Sequence, residues 1–254
     1  MQDRYVGEIG DFVKLAILRA LMPGRRLGVA WWLYPDETHN ADGRHIGYLK
    51  RPDKWRDFDP ELFDGLAAVV AQGRRRVQAL QETSLLADAT YADEVIPTTG
   101  TPAERRAGRA AWFRDCQKAL ADCDLVFADP DNGLETAGFS PGAMAGGKCI
   151  ALAEVKGLSA PGRTLVIYHH HSRRKGGHLA ELEHWAERLR AAGFSTVDAI
   201  RSRPFSARAF FSLDAAPPLR QRARQLASGW GKHLSWHEDV NSPVPGMTAL
   251  AQLL

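Results

Sequence analysis

The chain is poor in the features that disclose a function at sight. It contains no run of about 18 apolar residues, which excludes a predicted membrane-spanning helix. Its first residues, Met1-Gln2-Asp3-Arg4, have neither the basic flank nor the apolar stretch of a signal peptide, so the expectation is a soluble protein of the cytoplasm. Cysteine is scarce. Cys116, Cys123 and Cys149 are odd in number, and none stands at the two-residue spacing that zinc sites favour. They are expected as small buried apolar groups, without a metal. Internal repeats, low-complexity segments, a serine elbow, a Walker loop and a dinucleotide fingerprint are all lacking. The net charge of +3 is too small to demand a polyanionic partner.

What is present is a chain of 254 residues, 44% of them hydrophobic, long enough for one large core. Phe12 to Leu21 has helical apolar spacing and ends at Pro23-Gly24. Leu27 to Tyr34 reads as a strand that feeds the polar stretch Pro35 to Gly43. A helical segment from Glu61 towards Gln81 is weakened by Gly65 and Gly73, and Leu85 to Ile96 holds one or two short strands. Thr101-Pro102 with Glu104 has the form of a helix start, and the helix through Ala121 delivers the chain into the apolar strand ending at Ala128. Ile150 to Leu158, rich in Ala, Leu and Glu, is expected as a helix. Thr164 to Tyr168 is a strand, His178 to Ala192 a helix capped by Gly193, and Thr196 to Arg201 with Arg208 to Leu213 an antiparallel hairpin.

The expected architecture is therefore α/β: a mainly parallel sheet flanked by helices and closed by a C-terminal antiparallel hairpin, over residues 1–216. Residues 217–254 are expected as a helical extension packed on the same domain. Ligands of such sheets bind outside the carboxyl ends of the strands, where three polar groups fall: 36–42, 129–132 and 169–174.

Asp129-Pro130-Asp131-Asn132 is the leading candidate site. Asp129 accepts hydrogen bonds, Pro130 stiffens the turn and Asn132-Gly133 lets the chain reverse. An ordinary acidic turn is the competing reading, at even weight. In His169-His170-His171, alternation along a strand sends His169 and His171 to one face and His170 to the other, so the three make no metal tripod. Arg173-Arg174-Lys175 beside them offers a hold on a phosphate backbone, or is a solvated loop. Arg25-Arg26, Arg74-Arg75-Arg76 and Arg105-Arg106 also cluster positive charge, compatible with nucleic acid.

The order of strand, Asp-Pro, loop, helix, Pro-Gly, strand, helix and hairpin resembles the second half of a class I S-adenosylmethionine-dependent methyltransferase, a Rossmann-like fold. Asp129 and Pro130 match that family's acidic-Pro-Pro-aromatic motif; Asp131 and Asn132 replace its second proline and its aromatic residue. The resemblance implies that Asp129 to Asn132 hold a target amine, and the missing aromatic residue argues against a flipped adenine. More weakly, Gly10-Asp11 with Val13-Lys14-Leu15, and Tyr34-Pro35-Asp36-Glu37-Thr38-His39, resemble the first helix and Asp-Thr-His loop of bacterial large-subunit ribosomal RNA adenine methyltransferases. By that resemblance Lys14, Asp36 and His39 lie near S-adenosylmethionine; His169, His171, Arg173 and Arg174, by their place at a strand end and their charge, are expected to contact a nucleic-acid substrate. The glycine-rich cradle of the family is absent, since the loop has only Gly43.

A rival enzyme reading joins Pro130-Asp131 to Glu154-Val155-Lys156 as the PD-(D/E)xK pattern of a nuclease, in which carboxylates hold Mg2+. It requires a strand at Ile150 to Lys156; in a helix, Glu154 and Lys156 stand about 200° apart. A third reading is a cofactor-free protein that keeps the fold and binds nucleic acid through its arginines.

Overall fold

A computed structural model describes residues 1–37, 42–172 and 174–240. In chain order its elements are α1 (Ile9–Leu21), β1 (Leu27–Ala30), α2 (Pro52–Trp55), α3 (Pro60–Ala71), α4 (Val77–Gln81), β2 (Thr90–Ala92), α5 (Pro102–Ala119), β3 (Leu125–Ala128), β4 (Gly133–Leu134), β5 (Cys149–Ile150), α6 (Leu152–Gly157), β6 (Thr164–His170), α7 (Gly177–Ala191), β7 (Val197–Ser202), β8 (Arg208–Leu213), α8 (Pro217–Gly229) and β9 (Leu234–His237). The sheet order is β2-β1-β3-β6-β8-β7-β9, with β4 and β5 paired separately. β2, β1, β3 and β6 run parallel, β8 runs against both β6 and β7, and β9 runs against β7. The architecture is thus α/β, a mixed and mostly parallel sheet flanked by helices.

Strands with both faces covered must be apolar at every position, and β3 shows why. Leu125 and Phe127 join the core under α1, α3 and α8, with Phe12, Leu66 and Trp230. Val126 and Ala128 point the other way, into the core under α5, α6 and α7, with Trp112, Val155 and Trp185. α5 starts on a capping box, the Thr101 side chain accepting from Glu104 N–H and the Glu104 carboxylate from Thr101 N–H. No helix among the described residues is long and apolar enough to cross a membrane.

Three expectations are corrected, while Leu85 to Ile96 holds one strand, β2, within the one or two expected. The strand read as Leu27 to Tyr34 stops at Ala30, because Trp32 takes a left-handed φ of 50° that no strand tolerates. The long helix to Gln81 is two helices, broken at Gly73 with φ 66°. The terminal segment is not only helical: α8 packs on α1, and the chain then returns as β9 beside β7, so β9 rather than the β7–β8 pair ends the sheet. Residues 241–254 of the expected extension lie outside the described residues. Ile150 to Leu158 is helical from Leu152 to Gly157, after the short β5.

Candidate functional site

β1 has β2 on one side and β3 on the other, so the connections after β1 and β3 diverge and leave a crevice at the carboxyl ends of the strands. A cleft of about 360 Å³ lies there, lined by residues of the first segment, α1, the Asp129 turn, Tyr168, His170 and Arg208. Six of its side chains are carboxylic acids (Glu8, Asp11, Glu37, Asp42, Asp129, Asp131), against four cations (Lys14, Lys148, Arg208 and the Met1 amino group).

At its floor stands a buried ionic triad. Lys14 Nζ donates to Asp11 Oδ1 at 2.9 Å and to Asp129 Oδ2 at 2.5 Å, and all three residues are at most 5% exposed. Burial works against the ammonium, but the two carboxylates outweigh it and hold the Lys14 pKa above its ordinary value. One cation between two buried anions leaves a negative charge in excess, and burial pushes the Asp129 carboxyl up despite the ammonium beside it. Lys14 was expected near a cofactor. It lines the cleft, yet its protons are engaged by two carboxylates and a 3.6 Å contact to Met1 Sδ, so its action is on Asp129.

The Asp131 side chain is 5% exposed; burial raises its pKa, but the Met1 amino group at 3.2 Å, Gln2 and Lys148 prevail and hold it below the usual range. Asn132 is exposed at the rim, and Gly133, with φ 89°, reverses the chain. A Cβ on Gly133 would stand 2.5 Å from both the Cα and Nδ1 of His169. Gly133→Ala should therefore lose at least about 1–3 kcal/mol from backbone strain alone, read as a lower urea midpoint; an unchanged midpoint would contradict this account of the turn.

The histidines sort as alternation requires. His169 and His171 face α7, and His170 lines the cleft. His169, expected to contact substrate, has both ring nitrogens engaged within the protein and is 2% exposed. Nδ1 accepts from Leu134 N–H at 3.1 Å, so Nε2 carries the proton and donates to Glu181 Oε1 at 2.9 Å. The ring pins the turn that carries the acidic residues to α7. His171 also meets Glu181. His169 and His171, with Trp185, Arg188 and the exposed Arg174, line a second cavity of about 520 Å³ that adjoins the first at Asn132 and His170. The expected constellation is thus divided between two neighbouring cavities.

His178 sits behind His171, its Nδ1 accepting from Arg201 Nε at 2.8 Å and its Nε2 buried without a partner. Burial, then Arg201, lowers its pKa to about 4, and burial, then Arg208, does the same for His170. Between pH 6.5 and 4 the unfolded chain binds more protons at these rings, so stability must fall as the pH drops through that window. Melting temperatures from pH 7 to 4.5 should decline, and His178→Gln should flatten the decline; equal slopes would remove His178 from the effect.

Asp36 lies on the exposed side of its loop, accepting from Arg4 N–H at 3.1 Å, and does not line the cleft; its neighbour Glu37 does. His39 and Arg173 fall outside the described residues. Glu154 and Lys156 are not brought to Asp131. Glu154 pairs with Arg109 at 2.6 and 2.7 Å, and Lys156 donates to the Gly193 carbonyl at 3.1 Å. Among the described residues no group of three or more His, Cys, Asp or Glu is placed to hold a metal ion. Asp11, Tyr168, Glu181 and Arg208 escape sequence reasoning. The first had a signal, since Asp11 and Lys14 are charges one turn apart on an otherwise apolar helix. No family model matches the chain, and no curated protein matches it.

Proposed function

We propose that the chain is an S-adenosylmethionine-dependent methyltransferase acting on an amino group of a nucleic acid, with the cleft at the ends of β1 and β3 as its site. The observation that carries this reading is the placement of Asp129-Pro130. It closes β3 inside the cleft, in a sheet whose reversed strand β8 lies between two co-directional strands, β6 and β7. That is the arrangement a Rossmann-like methyltransferase would have.

The residues present fit the charge of the cofactor. S-adenosylmethionine carries a sulfonium and an ammonium, and six carboxylic acids against four cations suit such a ligand. Asp131 and Glu37 would hold its cationic end. When bound, it supplies an electrophilic methyl group. Asp129 would accept a hydrogen bond from the target amine and orient its lone pair, Lys14 would favour the ionised form of that carboxyl against its burial, and exposed Asn132 would meet the rest of the acceptor. Exposed Arg174 at the second cavity would take phosphate.

A second reading, a cofactor-free nucleic-acid-binding protein, is favoured by one observation. Trp31 and Trp32, both fully buried, follow β1 where a glycine-rich cradle would stand. Calorimetric titration with S-adenosylmethionine, followed by labelled-methyl transfer to RNA and DNA, decides between them. Saturable heat and transfer are expected; salt-sensitive nucleic-acid binding without either would favour the second reading.

A further inference from the structure

Arg208 at the start of β8 has no task in the proposed reaction, and its surroundings ask for one. It is 7% exposed, and a guanidinium so withdrawn from water needs a counter-charge. The protein meets that need at Arg109, 2% exposed, with the two-pronged Glu154 pair and two carbonyls besides. Among the described residues Arg208 has no such close pair; Glu8, at the amino end of α1, is the carboxylate that acts on it, from a longer range. Its Nε donates to the Tyr168 hydroxyl at 3.2 Å, and Nη1 donates to the carbonyls of Pro204 and Ser206 at 3.1 and 3.2 Å, all neutral acceptors. Nη2 donates to none of the described residues.

The guanidinium lies against the amino end of α1. A Cβ on Gly10 would stand 3.2 Å from Nη2 and 3.3 Å from Cζ, so the bare glycine is what admits it. α1 has 13 residues and opens on the cleft; Ile9 N–H donates to the His45 carbonyl and the Asp11 and Phe12 N–H groups to the Glu8 carbonyl, which among the described residues leaves the Gly10 N–H, beside the guanidinium, to face a ligand. Glu8, at the same end, has its pKa raised by burial against the pull of the His45 N–H and of Arg208.

We propose that Arg208 and the amino end of α1 form an oxyanion subsite, which takes the phosphate or carboxylate of a ligand whose cationic or amino end lies at Asp129 to Asn132. A nucleotide and an amino-acid moiety both have this polarity. The inference rests on the cleft being the working site, and stands apart from methyl transfer.

The test is calorimetry of the full chain with inorganic phosphate, with methionine, and separately with S-adenosylmethionine. Saturable binding of phosphate or methionine is expected, weakened at least about tenfold in Arg208→Gln, as loss of a charge-assisted hydrogen bond requires. Phosphate alone would identify the phosphate of a nucleotide; methionine alone would identify an amino-acid carboxylate. Gly10→Ala, a substitution helices favour, should fold and also weaken binding by displacing the guanidinium. Binding of neither probe, or affinity unchanged in folded Arg208→Gln, overturns the subsite. If Arg208→Gln does not fold, unchanged affinity in Gly10→Ala overturns it. Oxyanion binding without S-adenosylmethionine binding would keep the subsite and remove the methyltransferase reading, and the converse would do the reverse.

Discussion

Lys14→Met should cost about 3–5 kcal/mol at neutral pH, the loss expected when one partner of a buried ionic cluster is removed. Methionine fills nearly the same volume, so the effect is electrostatic. What remains is Asp11 and Asp129, each at most 2% exposed, with no ammonium between them. The pH dependence separates this from a packing defect. In the wild type the raised Lys14 pKa contributes stability that is complete below the unfolded value of about 10.4 and is lost as pH rises through the folded value. In the variant the two carboxyls can relieve their repulsion only by taking up a proton. The difference between the proteins should therefore shrink as the pH falls from 7.5 to 5 and should also narrow at alkaline pH. Urea unfolding at these pH values measures it. A difference below about 1 kcal/mol at pH 7.5, or one that does not vary with pH, would show that the triad is no structural keystone of the cleft.

The physical reason the triad was only half visible in the sequence is its span. Lys14 and Asp129 are 115 positions apart; Asp129 stands out by its strand-end setting and Lys14 only through a resemblance, and neither reading pairs them. Local signals carried well elsewhere. β3 is a short apolar run between polar ends, and α5 is announced by Thr101, Pro102 and Glu104, so both lie close to where periodicity and capping put them. They failed where long-range packing decides. Trp31 and Trp32 extend an apolar run that reads as strand, yet Trp32 turns left-handed and is buried against Trp112 and Phe113. β9 is four residues long and exists by pairing with β7, a partner no local pattern discloses. The histidine cluster had the right alternation but not its partners, since the donor on Leu134 and the carboxylate on α7 that occupy His169 are invisible until the chain folds.

Asp129→Asn should lower methyl transfer by roughly 10²-fold or more, the range in which a positioned proton acceptor contributes, while Lys156→Ala should leave it within a factor of about two. The two substitutions separate the enzyme readings because the structure gives these residues unlike surroundings. Asp129 closes a strand inside the cleft, with one carboxylate oxygen on Lys14, and its amide replacement keeps shape but presents N–H where an amine's hydrogen would approach. Lys156 lies in α6, exposed, with its ammonium on a carbonyl at the end of α7. In a PD-(D/E)xK nuclease, Asp131, Glu154 and Lys156 would gather around Mg2+, but here Glu154 is committed to Arg109, and freeing it would leave a buried guanidinium unpaired. The assay should therefore be run in parallel on methyl transfer and on Mg2+-dependent cleavage of RNA and DNA. Loss of Mg2+-dependent cleavage in Lys156→Ala and Glu154→Gln, with Asp129→Asn still active, would transfer the site from the cleft to α6 and replace the methyltransferase assignment with a nuclease.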